Sequence, residues 1–172
     1  MAIKKTSQLL NIGARITLSD GAVNYAERKS LPLNSLDREV FVVTDVSVDS
    51  DPVIVPQLPG QDVAINFSVN KNESTVQTIN NPDSVAHFRK QLTSTPVGET
   101  MQITAYPSES STGIPADYLS IISTSDFVLV GSYSSTAGTG PNRSVYVRLT
   151  GYRATATADV YAALVAEELS SN

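Results

Sequence analysis

The chain has one histidine and no cysteine, and those two facts bound its chemistry more tightly than any motif does. Without cysteine, disulfide frameworks, thiolate-bound zinc, iron–sulfur clusters and thiol nucleophiles are excluded. A serine nucleophile needs an imidazole base and an orienting acid, so any triad would have to use His87, and no G-x-S-x-G elbow is present. His87 stands in the run VAHFRK, four residues after Asp83, and on a helix the two would share a face. It has no second histidine or cysteine with which to hold a metal, and we read it as a surface or half-buried side chain. Gly138-Thr139-Gly140 resembles a phosphate loop only in its glycines. It lacks the following Lys-Ser/Thr and precedes no helix, so a hairpin tip is the reading. No catalytic residue, cofactor or resident metal is assigned.

Two groups have the residue types for binding. Asp45, Asp49 and Asp51 crowd the end of one expected strand, and acids so placed would offer Ca²⁺ oxygen ligands between subunits. The plainer reading, which we prefer, is a solvated strand rim. Tyr146, Arg148, Tyr152 and Arg153 surround the last expected strand and would give a modest nucleic-acid face through stacking and phosphate contact. A solvent-facing or subunit-facing strand is the preferred alternative. The chain has no Trp, the aromatic platform on which sugar-processing enzymes tend to hold substrate.

The elements that would position these residues are mostly strands. Glu39–Asp49 (EVFVVTDVSVD) is the clearest, with Val40, Val42, Thr44, Val46 and Val48 on one face and Phe41, Val43, Asp45 and Ser47 on the other. Its first half is apolar on both faces, so something must cover it. Its second half alternates, so one face is wet. Asp62–Asn70 and Ser74–Ile79 are expected to form a hairpin across Lys71-Asn72-Glu73. Asn81-Pro82-Asp83 has the form of a helix start, with Val85, Phe88 and Leu92 on one helical face. Strands are expected at Glu99–Tyr106, Phe127–Tyr133 and Ser144–Arg153, with Ser-rich loops at 107–115 and 134–142. Tyr118–Ile122 is left between strand and helical turn. A closing helix spans Thr157–Leu169, with Tyr161, Leu164, Val165 and Leu169 in its apolar stripe. Grouped strands with few helices give an all-β class: an antiparallel β-sandwich, specifically a single jelly roll, over residues 39–172.

Residues 1–38 stand apart in charge. They hold six basic and three acidic side chains, a net +3, whereas the remainder holds six basic and 14 acidic, a net −8. The whole chain is at −5, against a role whose main work is coating nucleic acid. Little periodicity is evident here beyond a short helix at Thr6–Asn11, a short strand at Arg15–Leu18 and a turn at Asp20-Gly21. The segment is therefore expected to be an N-terminal arm that orders against a neighbour. Leu9, Leu10, Ile12, Ile16, Leu18, Leu31 and Leu33, with Tyr161, Leu164 and Val165 of the closing helix, are its candidate subunit-interface residues. No run is as long as a signal peptide's apolar core or a membrane helix, so synthesis and folding in the producing cell's cytoplasm are expected.

The charged start, the strand EVFVVTDVSVD, the succession of strands with Ser/Thr-rich loops, the absence of Cys and the Ala-rich closing helix together resemble the small jelly-roll coat proteins of icosahedral viruses of bacteria or archaea. The resemblance spans the chain in style and rests on no single motif. It implies a major capsid subunit that assembles with copies of itself into a shell, other capsid proteins as further partners, only indirect contact with the packaged genome, and the virion as its location. The chain departs from the RNA-packaging branch in lacking a dense Arg/Lys arm. The alternative class is a non-enzymatic capsid decoration or tail-associated binding module.

Overall fold

The computed structural model describes residues 3–53, 55–94, 101–107, 118–138 and 140–170, with 101–107 as backbone. Residues 108–115 of the expected Ser-rich loop, and Thr139 of the expected tip, lie outside these. Among the described residues, ten strands and one helix run in the order β1 (Ile3–Lys5), β2 (Leu10–Leu18), β3 (Ala22–Ser30), β4 (Glu39–Ser50), β5 (Asp62–Asn70), β6 (Ser84–Ser94), β7 (Met101–Pro107), β8 (Ser120–Ile122), β9 (Asp126–Ser135), β10 (Arg143–Ala156) and α1 (Ala158–Ser170). A single 3₁₀ turn, Ser35–Asp37, precedes β4.

All pairings are antiparallel. One sheet runs β2-β10-β4-β8, with β1 continuing the β2 edge along the far end of β10. The other runs β3-β9-β5-β6-β7. Consecutive strands β2 and β3, then β4 and β5, then β8 and β9 with β10 returning, alternate between the sheets. That is the strand order of a jelly roll, with β7 added to one edge.

The expected N-terminal arm is corrected by these pairings. Residues 10–18 and 22–30 supply a strand to each sheet, so a division at residue 38 cuts through both. The physical reason is an alternation that the glycine partly hides: Leu10, Ile12, Ala14, Ile16 and Leu18 face the core, while Asn11, Gly13, Arg15 and Thr17 face out. The Asp20-Gly21 turn stands as expected, with Gly21 at φ +77° and Asp20 Oδ1 accepting from the Ser135 N–H at 3.1 Å. Leu10 and Thr6–Ser7 are extended or bent, so the expected short helix there is absent.

Two more expectations are overturned. Residues 81–92 form a turn and β6, not a helix. Asn81 does accept from the Asp83 N–H at 2.8 Å, but that bond starts a turn as readily as a helix, and β5 and β7 then claim the backbone of β6. Residues 74–79 are not a strand: β5 pairs with β6, and the intervening chain is held by Asn70 Nδ2 donating to the Glu73 and Thr75 carbonyls.

The main core fills the space between the sheets around Phe41, Phe67, Phe127, Ile65, Leu129 and Leu149. Each such side chain contributes about 1.5–3 kcal/mol on burial. A second, smaller cluster lies on the outside of the β4/β10 sheet. Val40, Val42, Ala154 and Ala156 are buried there beneath Val160, Tyr161 and Leu164 of α1. The helix is the cover that the doubly apolar half of β4 demands.

Candidate functional site

The outer face of the β2-β10-β4 sheet is divided by one irregularity. Between Thr150 and Gly151 the register of β10 on β4 shifts, so Thr150 faces Asp45 while Gly151 faces Val43. Thr44 is the extra residue, and its hydroxyl donates to the Thr150 carbonyl at 3.1 Å. A bulge of this kind exchanges inward and outward positions along the strand. Val40 and Val42 therefore point out, under α1, and Val46 and Val48 point in. The single face expected for Val40 through Val48 is broken here. Past the bulge the outward positions are Asp45, Ser47 and Asp49, and this half of the face is bare.

On that half the three strands set their side chains in rows. Arg15, Tyr146 and Asp49 face one another in register, then Gly13, Arg148 and Ser47, then Asn11, Thr150 and Asp45. A groove of about 620 Å³ crosses the first two rows. Asp51, at the end of β4, accepts from the Ser144 N–H at 2.8 Å and from the Tyr146 hydroxyl at 3.3 Å. Those bonds engage both oxygens of the Asp51 carboxylate. Among the described residues no group of three or more acids or histidines is placed to hold a metal ion. Tyr146 and Arg148 do share this face, but Tyr152 and Arg153 do not join them. They lie past the bulge, with Lys5 stacked on the Tyr152 ring at 4.6 Å and Arg153 paired with Glu39 at 3.7 Å.

Two buried carboxylates act on the backbone instead. Glu168 of α1 is almost fully enclosed, and its two oxygens accept from the Ser123 and Thr124 N–H groups at 2.7 and 3.0 Å. Asp83 accepts from the Asn72 and Glu73 N–H groups at 3.0 and 2.9 Å. His87 lies half-buried on β6 opposite Ser68, on a strand rather than a helix shared with Asp83. Burial, and secondarily the Arg89 guanidinium, lower its pKa from the usual 6.5.

Of the candidate interface residues, Ile16, Leu18 and Leu31 are core residues of their own chain. Leu10, Ile12 and Leu33 pack partly against that core, and Tyr161 and Leu164 against the cluster under α1; Val165 is half-buried. Leu9 is the exposed member of the set, at 59%. Val23 (79%), Leu36 (91%), Leu58 (62%) and Ile79 (62%) are exposed as well, without a mark in the sequence. They stand on the outer strand β3 and in connections, where periodicity gives no signal of exposure. Among the described residues no helix is long and apolar enough to cross a membrane.

No protein-family model and no curated protein matches this chain. Among solved structures it is similar to that of turnip yellow mosaic virus at 100 K, at 11% identity over 88% of this chain and 95% of that one, with a TM-score of 0.24.

Proposed function

We propose that this chain is the coat subunit of an icosahedral virus, a structural protein that assembles with copies of itself into a shell and works in the virion. One observation carries the reading. On a jelly roll whose core is already filled from within the chain, Leu9, Val23, Leu36, Leu58 and Ile79 remain largely exposed on an edge strand and in connections. Single exposed apolar residues are ordinary on a protein surface. Here they lie on the edge strand β3 and in the connections between strands, where neighbours in a closed layer would cover them. The jelly roll supports the same reading, because this double-sheet fold is one from which capsid walls are built.

Negative-stain microscopy of the purified protein, with sedimentation velocity on the same sample, tests this. Closed particles of uniform size are expected. Small discrete oligomers alone would favour the decoration or tail-associated module, and a monomer at all concentrations would overturn the assembly reading.

A further inference from the structure

The bare half of the outer sheet face is arranged for a particular partner. Neighbouring strands lie about 4.8 Å apart, so Arg15 on β2 and Asp49 on β4 stand about 10 Å apart with Tyr146 between them. Arg148 occupies the middle strand of the next row, flanked by Gly13 and Ser47, and Asp45 follows on β4. The face thus carries two bases on β2 and β10 and two acids on β4, with the Asp51 carboxylate at its end, bonded to the Tyr146 hydroxyl. The ion pairs among the described residues are Arg28–Asp126, Lys29–Glu27 and Arg153–Glu39, and none of these four residues enters one. Gly13 lies mid-strand with open space where a Cβ would stand. A glycine in a strand interior leaves room for another backbone or a ligand to approach closely.

We propose that this face pairs with the same face of a second copy of the chain, about a two-fold axis running along β10. The proposal rests on the coat-subunit reading and names one contact of the shell. Under that rotation β4 of one copy lies over β2 of the other. Arg15 then faces Asp49 of the second copy, and the reverse pair forms on the other side of the axis. Arg148, on the axis like Tyr146, meets Arg148 of the second copy, and each guanidinium is turned aside to the diagonally placed Asp45 and Asp49 of that copy. Gly13 and Ser47 leave the space that the arginine occupies. An axis across the strands through the Arg148 row would keep the Arg148 self-contact, lose both Arg15–Asp49 pairs and add Asp45 over Asp49, a further like-charge contact that costs affinity. A nucleic-acid strand in the groove would meet the same two acids, so the charge pattern favours the second copy. The patch covers nine side-chain positions, fewer than the roughly 20–30 residues a side of a stable pair. It is therefore weak alone and effective when repeated across a shell.

The test exploits the self-complementarity and the absence of cysteine. R15D and D49R each place like charges opposite one another and are expected to raise the concentration needed for assembly about tenfold or more. The double reversal R15D/D49R restores the pairs and should return it to the wild-type value, which mere loss of folding would not do. In parallel, Y146C, on the axis, should be joined to a second copy by a short bis-maleimide much faster than L36C, an exposed control. Unchanged assembly in both single variants, or equal cross-linking at 146 and 36, overturns the pairing. Particles with no preference for position 146 would sink this contact and leave the coat reading standing. Selective cross-linking at 146 in a protein that forms no particles would do the opposite. A short single-stranded oligonucleotide that bound the wild type and was lost with R15D, without selective cross-linking, would replace the second copy with nucleic acid.

Discussion

Glu168 shows how much one side chain can hold at the end of a chain. Its carboxylate meets two backbone N–H groups of the Ser123–Thr124 loop, whereas Glu167 beside it is exposed. Glu168→Ala strands both donors in a buried setting and should lower stability by about 2–3 kcal/mol in urea titrations. Glu167→Ala should stay within about 0.5 kcal/mol. Glycines sort in the same way. A Cβ at Gly151 would stand 2.3 Å from the Val42 carbonyl and 2.9 Å from the Phe41 ring, so Gly151→Ala is expected to cost about 3 kcal/mol. Gly13→Ala, in open space, should leave the unfolding midpoint unchanged. His87 gives the pH dependence. Its folded pKa lies below the unfolded 6.5, so the unfolded chain binds this proton more readily. The histidine therefore costs nothing above about pH 6.5. Its penalty grows as the pH falls and is complete below the folded pKa. His87→Gln should flatten that part of a stability profile measured between about pH 8 and pH 5; a profile identical to the wild type would mean His87 plays no part in it.

At the scale of elements, the bulge and the helix are one device. Thr44 turns the apolar face of early β4 outward, and α1 covers it with Val160, Tyr161 and Leu164. A helix of 13 residues is marginal in water on its own, so the sheet holds the helix as much as the helix covers the sheet. Leu164→Asp places a charge in this small cluster. It should cost about 2–4 kcal/mol and reduce helical circular dichroism while the main core survives, since Phe67, Phe127 and their neighbours form a separate cluster. Complete loss of β-sheet signal in that variant would show that the two clusters unfold as one.

For the whole molecule, β2 and β3 decide what a truncation does. They give one strand to each sheet and place Ile16 and Leu18 among the most deeply buried side chains. Deleting residues 2–30 should therefore leave a chain without cooperative unfolding, not a folded monomer that merely fails to assemble. A sharp thermal transition in the truncated protein would show that the sheets close without them.

The β class, the jelly roll, β4, β5, β9, β10 and the closing helix were legible in the residues, because strict alternation and an apolar helical stripe are local patterns that burial requires wherever the element lies. The need for a cover over early β4 was legible too, since a strand apolar on both faces cannot be left in water. Leu10 to Leu18 carried an equally regular alternation, obscured by Gly13 and by a charge contrast that drew attention to an arm. Other features were decided by tertiary structure alone. Asn81-Pro82-Asp83 offers the same local hydrogen bond to a turn and to a helix, and only pairing with strands β5 and β7 settled it. The bulge at Thr44 exchanged the faces of β4 without leaving a mark in its valines. Glu167 and Glu168 are identical in type, and only the fold of the Ser123–Thr124 loop against α1 made one a surface charge and the other a buried acceptor. Pairing partners and the direction of a face depend on chain segments far apart, and a period of two, which fixes that a strand has two faces, does not fix which of them meets the core.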